Sequence, residues 1–128
     1  MNSDTTPLEG TKLVNFEPRK TVEQLEIIDT VIGTGDEVQP SQTITAHYTG
    51  ALVKDGTIFQ SSKDFGQPAT FGLEQVIEGW TKGVPGMKVG GVRRLIIPSA
   101  QAYGSVRAAA NIPPNSDLVF DIELVSIG

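Results

Sequence analysis

Short segments in which apolar and polar residues alternate, each closed by glycine or proline, recur along most of this chain. In residues 43–50 the apolar side chains alternate with three threonines and His47, and residues 118–127 alternate in the same way. A period of two places side chains on opposite sides of an extended strand, so each segment can bury one face. The inward faces predicted in this way hold Ile44, Ala46 and Tyr48 in the first segment and Leu118, Phe120, Ile122 and Leu124 in the second.

Two further segments are predicted to be strands. Residues 22–32 (VEQLEIIDTVI) are followed by a Gly-Thr-Gly-Asp turn, and residues 92–97 (VRRLII) are followed by Pro98. Asp55-Gly56 lies between two short apolar pairs and predicts a hairpin, because glycine adopts the positive φ that tight turns need.

One short helix is predicted near residues 74–82, where Val76 and Ile77 lie four and three residues before Trp80 and share a face with it. The helix contains Gly79, so it must be stabilised by packing against the sheet. Several antiparallel strands, one helix and no strand–helix–strand alternation together predict an α+β fold and argue against a doubly wound sheet.

The composition limits what the chain can bind. With no cysteine and one histidine it has no thiolate site and no multi-histidine metal centre, and we expect neither a metal nor another cofactor. The net charge of −5 arises in residues 1–40, which hold eight acidic and three basic residues, whereas residues 41–128 hold seven of each. A nearly neutral domain without a basic stripe argues against nucleic acid and favours an apolar or uncharged ligand.

The start of the chain differs from the rest. Residues 1–20 lack steady periodicity, so we assign residues 1–22 to a mostly irregular extension and residues 23–128 to the folded domain. Leu13, Val14 and Phe16 either dock on that domain or belong to a floppy tail. No apolar run approaches the roughly 18 residues of a membrane span, and no signal peptide opens the chain. These features favour a cytoplasmic location, with an exported mature domain as the alternative. No oligomer signal stands out in the sequence, so we expect a monomer.

The usual groups of covalent and metal catalysis are missing, since the chain has no phosphate-binding loop and no nucleophile elbow. His47 is predicted to be a surface strand residue. Asp121 and Glu123 are expected on the outer face of the last strand rather than in a paired-carboxylate site. Arg93-Arg94 is too small a cluster for a nucleic-acid patch. An enzyme made from this chain needs a reaction without a nucleophile, a metal or a strong acid–base pair.

The remaining candidates are aromatic: Tyr48, Phe59, Trp80, Tyr103 and Phe120. They are either ordinary core residues or the lining of a pocket. Tyr103 lies in a glycine-bounded loop, and loops held by a scaffold often carry function. Both tyrosines also carry a hydroxyl, which suits a site that is apolar inside and wet at its mouth. These two features favour a pocket.

Six motifs follow one another in the order and spacing found in FKBP-type peptidyl-prolyl isomerases, so the chain resembles that family from about residue 23 to its C-terminus. The first 20 residues lie outside the resemblance. The motifs are Ala46-His47-Tyr48-Thr49-Gly50; Asp55-Gly56 with Phe59-Gln60-Ser61-Ser62; Val76-Ile77-Glu78-Gly79-Trp80; Gly83-Val84-Pro85-Gly86-Met87-Lys88-Val89-Gly90-Gly91; Ala102-Tyr103-Gly104; and Ile112-Pro113-Pro114-Asn115-Ser116-Asp117-Leu118-Val119-Phe120-Asp121-Ile122-Glu123-Leu124.

The resemblance implies a half-open twisted antiparallel β-sheet wrapped around one short α-helix, with a proline-binding pocket between them. It implies an isomerase that rotates Xaa-Pro bonds non-covalently in proline-containing peptides and in unfolded or partly folded proteins, and so assists folding. Rapamycin- and tacrolimus-type macrolides are implied ligands of the same pocket. Trp80 is expected to form the floor, and the Tyr103 hydroxyl and the Ile112 N–H to bond the peptide's carbonyls. The site residues implied are Tyr48, Phe59, Gln60, Val76, Ile77, Trp80, Tyr103, Ile112 and Phe120.

Three positions depart from the common family pattern. Gln60 stands where aspartate is common, Ala69 where an aromatic often follows the proline, and Asn111 where a second aliphatic is common. These departures bear on the polarity and depth of the pocket and on macrolide affinity.

Three other functions are alternatives: a binding module without turnover, a folding chaperone, and a purely structural domain. Chaperone relatives carry a large inserted flap domain, whereas only eight residues separate Tyr103 from Ile112 here. The retained aromatic set favours an active isomerase.

Overall fold

Residues 7–106 and 111–128 are described by the computed structural model. In this part of the chain six strands form one antiparallel sheet in the order β1-β5-β6-β2-β3, and β4 pairs with the first half of β2. The expected α+β fold, with one open sheet and one short helix, is confirmed. The elements are β1 (Glu26–Val31), β2 (Thr43–Leu52), β3 (Ile58–Ser61), β4 (Ala69–Gly72), α1 (Glu78–Gly83), β5 (Val92–Ile97) and β6 (Leu118–Ile127), with 3₁₀ helices at Ser62–Phe65 and Ser99–Gln101.

Strand alternation gives the sheet two different faces. On β6, Phe120 and Ile122 point toward α1 and belong to the larger hydrophobic cluster, while Val119 lies in a second cluster with Ile96 and Ala51. The predicted strands 92–97 and 118–127 are confirmed residue for residue. We call the side of the sheet that faces α1 the helix face, and the opposite side the strap face.

The helix is shorter than predicted. It spans Glu78–Gly83 rather than 74–82, and Ile77 precedes it with an extended backbone (φ −60°, ψ 152°). Val76 and Ile77 are β-branched, which disfavours helix, and the carbonyl of Leu73 accepts from the Thr81 hydroxyl at 2.7 Å instead of from an amide one helical turn further on. The shared helix face predicted for Val76, Ile77 and Trp80 is therefore wrong.

The first strand is also shorter than predicted, since β1 covers Glu26–Val31 and not 22–32. Val22 is held elsewhere, because its amide donates to Asp117 Oδ2 at 3.0 Å and its side chain lies in the cluster on the strap face. Strand β4 was not predicted, because four residues give too short a pattern to detect. The Asp55-Gly56 hairpin between β2 and β3 is confirmed, with φ +76° at Gly56.

The part of the extension within residues 7–19, which we call the strap, docks on the sheet. Leu13 is buried and Phe16 half-buried, and the guanidinium of Arg94 lies 5.8 Å from the Phe16 ring centroid. Val14 is 71% exposed, so of the three candidate residues Leu13 and Phe16 dock on the domain and Val14 does not. The domain boundary near residue 22 stays a prediction. No helix within the described ranges is long and apolar enough to cross a membrane.

Candidate active site

A cavity of about 450 Å³ opens between α1 and the helix face of the sheet, a volume typical of small-ligand sites. Its lining, taken over the described residues, contains no charged side chain. An uncharged wall of this kind favours an apolar or neutral ligand. The lining residues are Tyr48, Phe59, Gln60, Phe71, Gln75, Val76, Ile77, Trp80, Tyr103 and Phe120.

Trp80 of α1 is the centre of the aromatic lining. Its ring centroid lies 4.8 Å from that of Phe71, 5.4 Å from Phe120 and 6.0 Å from Tyr48, all in edge-to-face arrangements. Phe59 and Phe120 form a further edge-to-face pair at 5.6 Å. These contacts match the preferred geometry of aromatic quadrupoles, so the rings hold one another in place around the cavity. Trp80 is only 3% exposed, as expected for a floor residue.

Two glycines make this arrangement possible. A Cβ on Gly50 of β2 would lie 2.6 Å from Phe59 Cζ and 2.7 Å from Phe120 Cε2, so only glycine lets both rings lie over the strand. A Cβ on Gly79 of α1 would lie 2.6 Å from Ile97. The glycine that weakens the isolated helix therefore allows it to approach β5 closely enough to present Trp80 to the cavity.

Tyr48 supplies a hydroxyl at the edge of the cavity. This hydroxyl donates to Gln60 Oε1 at 2.8 Å, so Gln60 provides an acceptor without a charge. Burial, with a smaller contribution from nearby Tyr103, raises the pKa of Tyr48 above its ordinary value, so the hydroxyl stays protonated at neutral pH. Tyr103 lies on the rim and is 40% exposed.

The indole N–H of Trp80 is buried and has no hydrogen-bond partner among the described residues. A buried unpaired donor costs about 1–3 kcal/mol, and such groups in folded proteins need an explanation. Here the indole belongs to the cavity lining, so an unpaired donor is available at the floor of the site.

The structure brings eight of the nine predicted site residues to the cavity wall. The ninth, Ile112, is buried in the same hydrophobic cluster but does not line the cavity, and its role as an N–H donor stays a prediction. Sequence analysis missed Phe71 and Gln75. Phe71 follows Ala69 at the strand period of two, so its direction could have been inferred had β4 been recognised. Through Phe71, β4 places an aromatic ring against Tyr48 and Trp80.

The other polar candidates lie away from this cavity. His47 Nδ1 lies 2.9 Å from Ser62 Oγ, and His47, Asp121 and Glu123 line a smaller cavity of about 280 Å³ beside the strap. Arg94 binds Asp121 through two hydrogen bonds of 2.6 and 2.8 Å.

Arg93, in contrast, fixes the helix on the helix face. It is buried, binds Asp29 through two hydrogen bonds, and donates to the carbonyls of Gly83 and Pro85 just where α1 ends. A cation at this position is favourable because the helix C-terminus carries partial negative charge. The charged side chains therefore position the elements, and the cavity they frame is left uncharged.

An aromatic cavity on an open sheet, with hydroxyl and amide groups at its edge, defines a class of protein that binds a small neutral group without forming covalent bonds. Comparison with known proteins defines that class further. The sequence model of the FKBP-type peptidyl-prolyl cis-trans isomerases matches residues 35–125. The peptidyl-prolyl cis-trans isomerase FPR2 of Saccharomyces cerevisiae is 47% identical over 93 residues, which cover 71% of this chain and 69% of that protein.

Two further similarities extend over more of the chain. An FK506-binding protein of Neisseria meningitidis serogroup B is 47% identical over 105 residues, covering 80% of this chain and 95% of that protein. The crystal structure of a peptidyl-prolyl cis-trans isomerase from Pseudomonas syringae superposes with a TM-score of 0.74 at 36% identity, covering 86% of this chain and 80% of that one. Some relatives are longer, and the aligned region spans only 35% of isomerase FkpA of Aeromonas hydrophila.

The chain belongs to the family of FKBP-type peptidyl-prolyl cis-trans isomerases. Its class of activity is the rotation of Xaa-Pro peptide bonds, which explains why the groups needed for covalent chemistry are missing from its sequence.

Proposed function

We propose that the aromatic cavity between α1 and the sheet is the site at which this chain isomerises Xaa-Pro bonds, with the proline ring seated on Trp80. The observation that carries the proposal is the uncharged lining built from six aromatic side chains, with two hydroxyl groups at its edge. A proline ring is apolar and compact, and the volume of the cavity suits it together with its flanking peptide groups.

The proposed mechanism needs no bond making or breaking. Resonance gives the peptide C–N bond partial double-bond character and a rotational barrier of about 18–20 kcal/mol. The twisted transition state loses this resonance, and its carbonyl oxygen carries less negative charge than the planar ground state. A dry aromatic cavity therefore disfavours the planar amide relative to the twisted one. Each 1.4 kcal/mol or so of that difference raises the rate about tenfold.

Hydrogen bonds orient the peptide in this scheme. The Tyr103 hydroxyl and the backbone N–H of Ile112 donate to carbonyls that flank the proline and hold the chain in a turn compatible with the twist. Tyr48 contributes its ring to the wall, and its hydroxyl is already bonded to Gln60. These groups orient the substrate, so they need no pKa near neutrality.

The proposed substrates are proline-containing peptides and unfolded or partly folded proteins, on which the chain acts as a monomer. Rapamycin- and tacrolimus-type macrolides are proposed competitors for the same cavity. A similar protein from Neisseria meningitidis is called an FK506-binding protein, and its similarity to this chain supports that proposal. A cytoplasmic location stays a prediction, and imaging of the full-length native protein tests it.

The test is cis/trans exchange in short Xaa-Pro peptides, followed by exchange NMR with catalytic amounts of protein and a varied residue before proline. We expect acceleration that a stoichiometric amount of rapamycin removes. Because Trp80 is the only tryptophan, its fluorescence reports macrolide binding in the same samples. Quenching of Trp80 by peptide without acceleration across the whole series would contradict the proposal and establish a binding module without turnover.

A further inference from the structure

The strap continues the sheet beyond β3. Ile58 of β3 accepts a backbone hydrogen bond from the amide of Gly10 and donates one to the carbonyl of Thr11, both at 2.8 Å. Leu13 donates to the carbonyl of Gly56 at 2.8 Å. The edge of the strand that carries Phe59 is thus covered by a segment outside the region that the family model matches.

The strap is also fixed at its first turn. Asp64, in the 3₁₀ helix after β3, accepts from the amides of Leu8 at 2.8 Å and Glu9 at 3.1 Å, one to each carboxylate oxygen. Two hydrogen bonds to one carboxylate fix the position of the backbone at Glu9, and with it the region that the Glu9 side chain can reach.

Asn111 joins three segments of the molecule. Its amide Nδ2 donates to the backbone carbonyl of Phe59 at 2.9 Å and to Glu9 Oε2 at 3.3 Å. A side-chain amide carries two N–H donors, so one group can make both bonds. Asn111 therefore connects the chain just before Ile112 to the cavity strand β3 and to the strap.

A second hydrogen bond joins the two described parts of the connection between β5 and β6 to each other. The amide of Asn115 donates to the carbonyl of Gly104 at 2.7 Å, next to Tyr103. Asn111 supplies the only side-chain hydrogen bond that the described residues show between this connection and β3. The residue after it, Ile112, carries the N–H to which the proposed function gives an orienting role.

We propose that Asn111 is a positioning residue for isomerisation, fixing the Ile112 N–H relative to the Phe59 wall, and that Glu9 of the strap holds Asn111 in place. This inference rests on the proposed function. The strap lies outside the region that the family model matches, and it becomes a contributor to catalysis in this way. A change at Glu9 reaches the site through the side chain of Asn111. Small misplacements of a positioning group are costly, since a shift of about 1 Å can reduce a rate about 100-fold.

The test compares three variants of the full chain in the exchange assay. Asn111→Asp keeps the shape but loses the donor, Asn111→Ala removes both bonds, and Glu9→Gln keeps an acceptor without the charge. We expect a loss of about tenfold in kcat/KM for both Asn111 variants, mostly in kcat, and a loss of about twofold for Glu9→Gln.

A pH profile separates positioning from general damage. A protonated aspartate can again donate to the Phe59 carbonyl, so Asn111→Asp should regain activity relative to the native chain near pH 4, about the ordinary pKa of aspartate. Asn111→Ala should not. The control is Ser116→Ala in the same connection, which removes a 2.7 Å bond to Pro113 only and should retain native activity.

Native activity in both Asn111 variants, an equal loss in Ser116→Ala, or acid recovery in Asn111→Ala would overturn the inference. If the native chain itself does not accelerate exchange, the proposed function fails separately. The inference is then tested on the Kd of an Xaa-Pro peptide, measured from the Trp80 fluorescence. That Kd should rise about twofold in Asn111→Asp, and an unchanged Kd would overturn the inference.

Discussion

The two faces of the sheet are built from the same alternating strands, but the strap contact on one face and the cavity on the other treat polar groups in opposite ways. On the strap face the charged side chain of Arg94 is paired with Asp121 and also donates to the carbonyls of Val14 and Asn15. On the helix face, the cavity is lined by neutral groups, and the indole N–H of Trp80 has no partner among the described residues. Paired charges fix a structural cover, whereas an aromatic cavity and a buried donor that no described residue accepts from mark a ligand site.

Side chains on the two faces also contribute differently to the stability of the fold and to the activity of the site. The hydrogen bonds to Asp121 raise the pKa of Arg94, so this side chain stays charged at neutral pH and donates to the strap carbonyls as a cation. The cavity side chains, in contrast, belong to both the core and the site, because Trp80, Phe59 and Phe120 lie in the main hydrophobic cluster. Variants on the two faces should therefore behave differently.

The largest effect is expected for Trp80→Ala. Removing this buried ring should lower the free energy of unfolding by about 3–5 kcal/mol and leave a cavity floor too deep for proline. Denaturant unfolding and exchange NMR on the folded fraction measure the two effects, and we expect at least about tenfold loss of kcat/KM. Trp80→Phe is the control that keeps an aromatic ring, and it should retain more of the unfolding free energy and more of the kcat/KM than Trp80→Ala does. Native kcat/KM in folded Trp80→Ala would break the assignment of the site to the helix face.

Leu13→Ala tests the strap face. Leu13 is buried under the strap, so its truncation should cost about 2–3 kcal/mol in stability, at the lower end for core leucines because the strap can partly collapse. The kcat/KM of the folded protein should change by less than about twofold, because Asp64 still fixes the strap at Leu8 and Glu9. Val14→Ala, at a neighbouring residue that is 71% exposed, is the matched control and should change stability by less than about 0.5 kcal/mol. A large loss of kcat/KM in Leu13→Ala would show that the two faces are not separate.

Tyr103→Phe should have a smaller effect, confined to the helix face. Its hydroxyl orients the substrate and transfers no proton, so we expect a loss of about two- to fivefold in kcat/KM. Because Tyr103 is 40% exposed, the unfolding free energy should stay within about 0.5 kcal/mol of the native value. A loss as large as that of Trp80→Ala would instead indicate that this hydroxyl takes part in the chemical step.

The strands were predictable where alternation was long enough. Leu118, Phe120, Ile122 and Leu124 follow the period of two, and the structure has a strand over the predicted residues 118–127. Val22 was assigned to β1 but is held by Asp117, which is 95 residues away in sequence and invisible to any local pattern. The strand β4 was missed because its four residues are too few to show a pattern. The late start of α1 was missed because it depends on side-chain contacts that no periodicity encodes, such as the bond from the Thr81 hydroxyl to the Leu73 carbonyl.

The lining of the site was predictable through the ordered motifs rather than through any single residue. Tyr48, Phe59 and Trp80 reach one cavity although they lie on three elements. Nothing local indicated that Phe71 would join them. The link from Glu9 through Asn111 to Phe59 was also beyond sequence analysis, since it joins residues that are 102 and 52 positions apart.

The smallest effect is expected from pH. Tyr48 and Tyr103 are the cavity-lining residues with ionisable side chains among those described, and burial raises the pKa of Tyr48 above its ordinary value of 10.0. A raised tyrosine pKa favours the neutral form, so Tyr48 should not titrate below that value. The kcat/KM measured by exchange NMR should therefore be flat between about pH 6 and 8. A steep bell in this range would mean that a titrating group takes part in the reaction.

The most direct test of the central claim is a map of amide and indole chemical shifts while an Xaa-Pro peptide is isomerised. We expect the signals of the Trp80 indole N–H, Tyr103 and Phe59 to shift and broaden on the helix face, while those of Gly10 and Leu13 of the strap do not. Shifts that cluster instead around the strap and the smaller cavity beside His47 would place the site on the opposite face of the sheet.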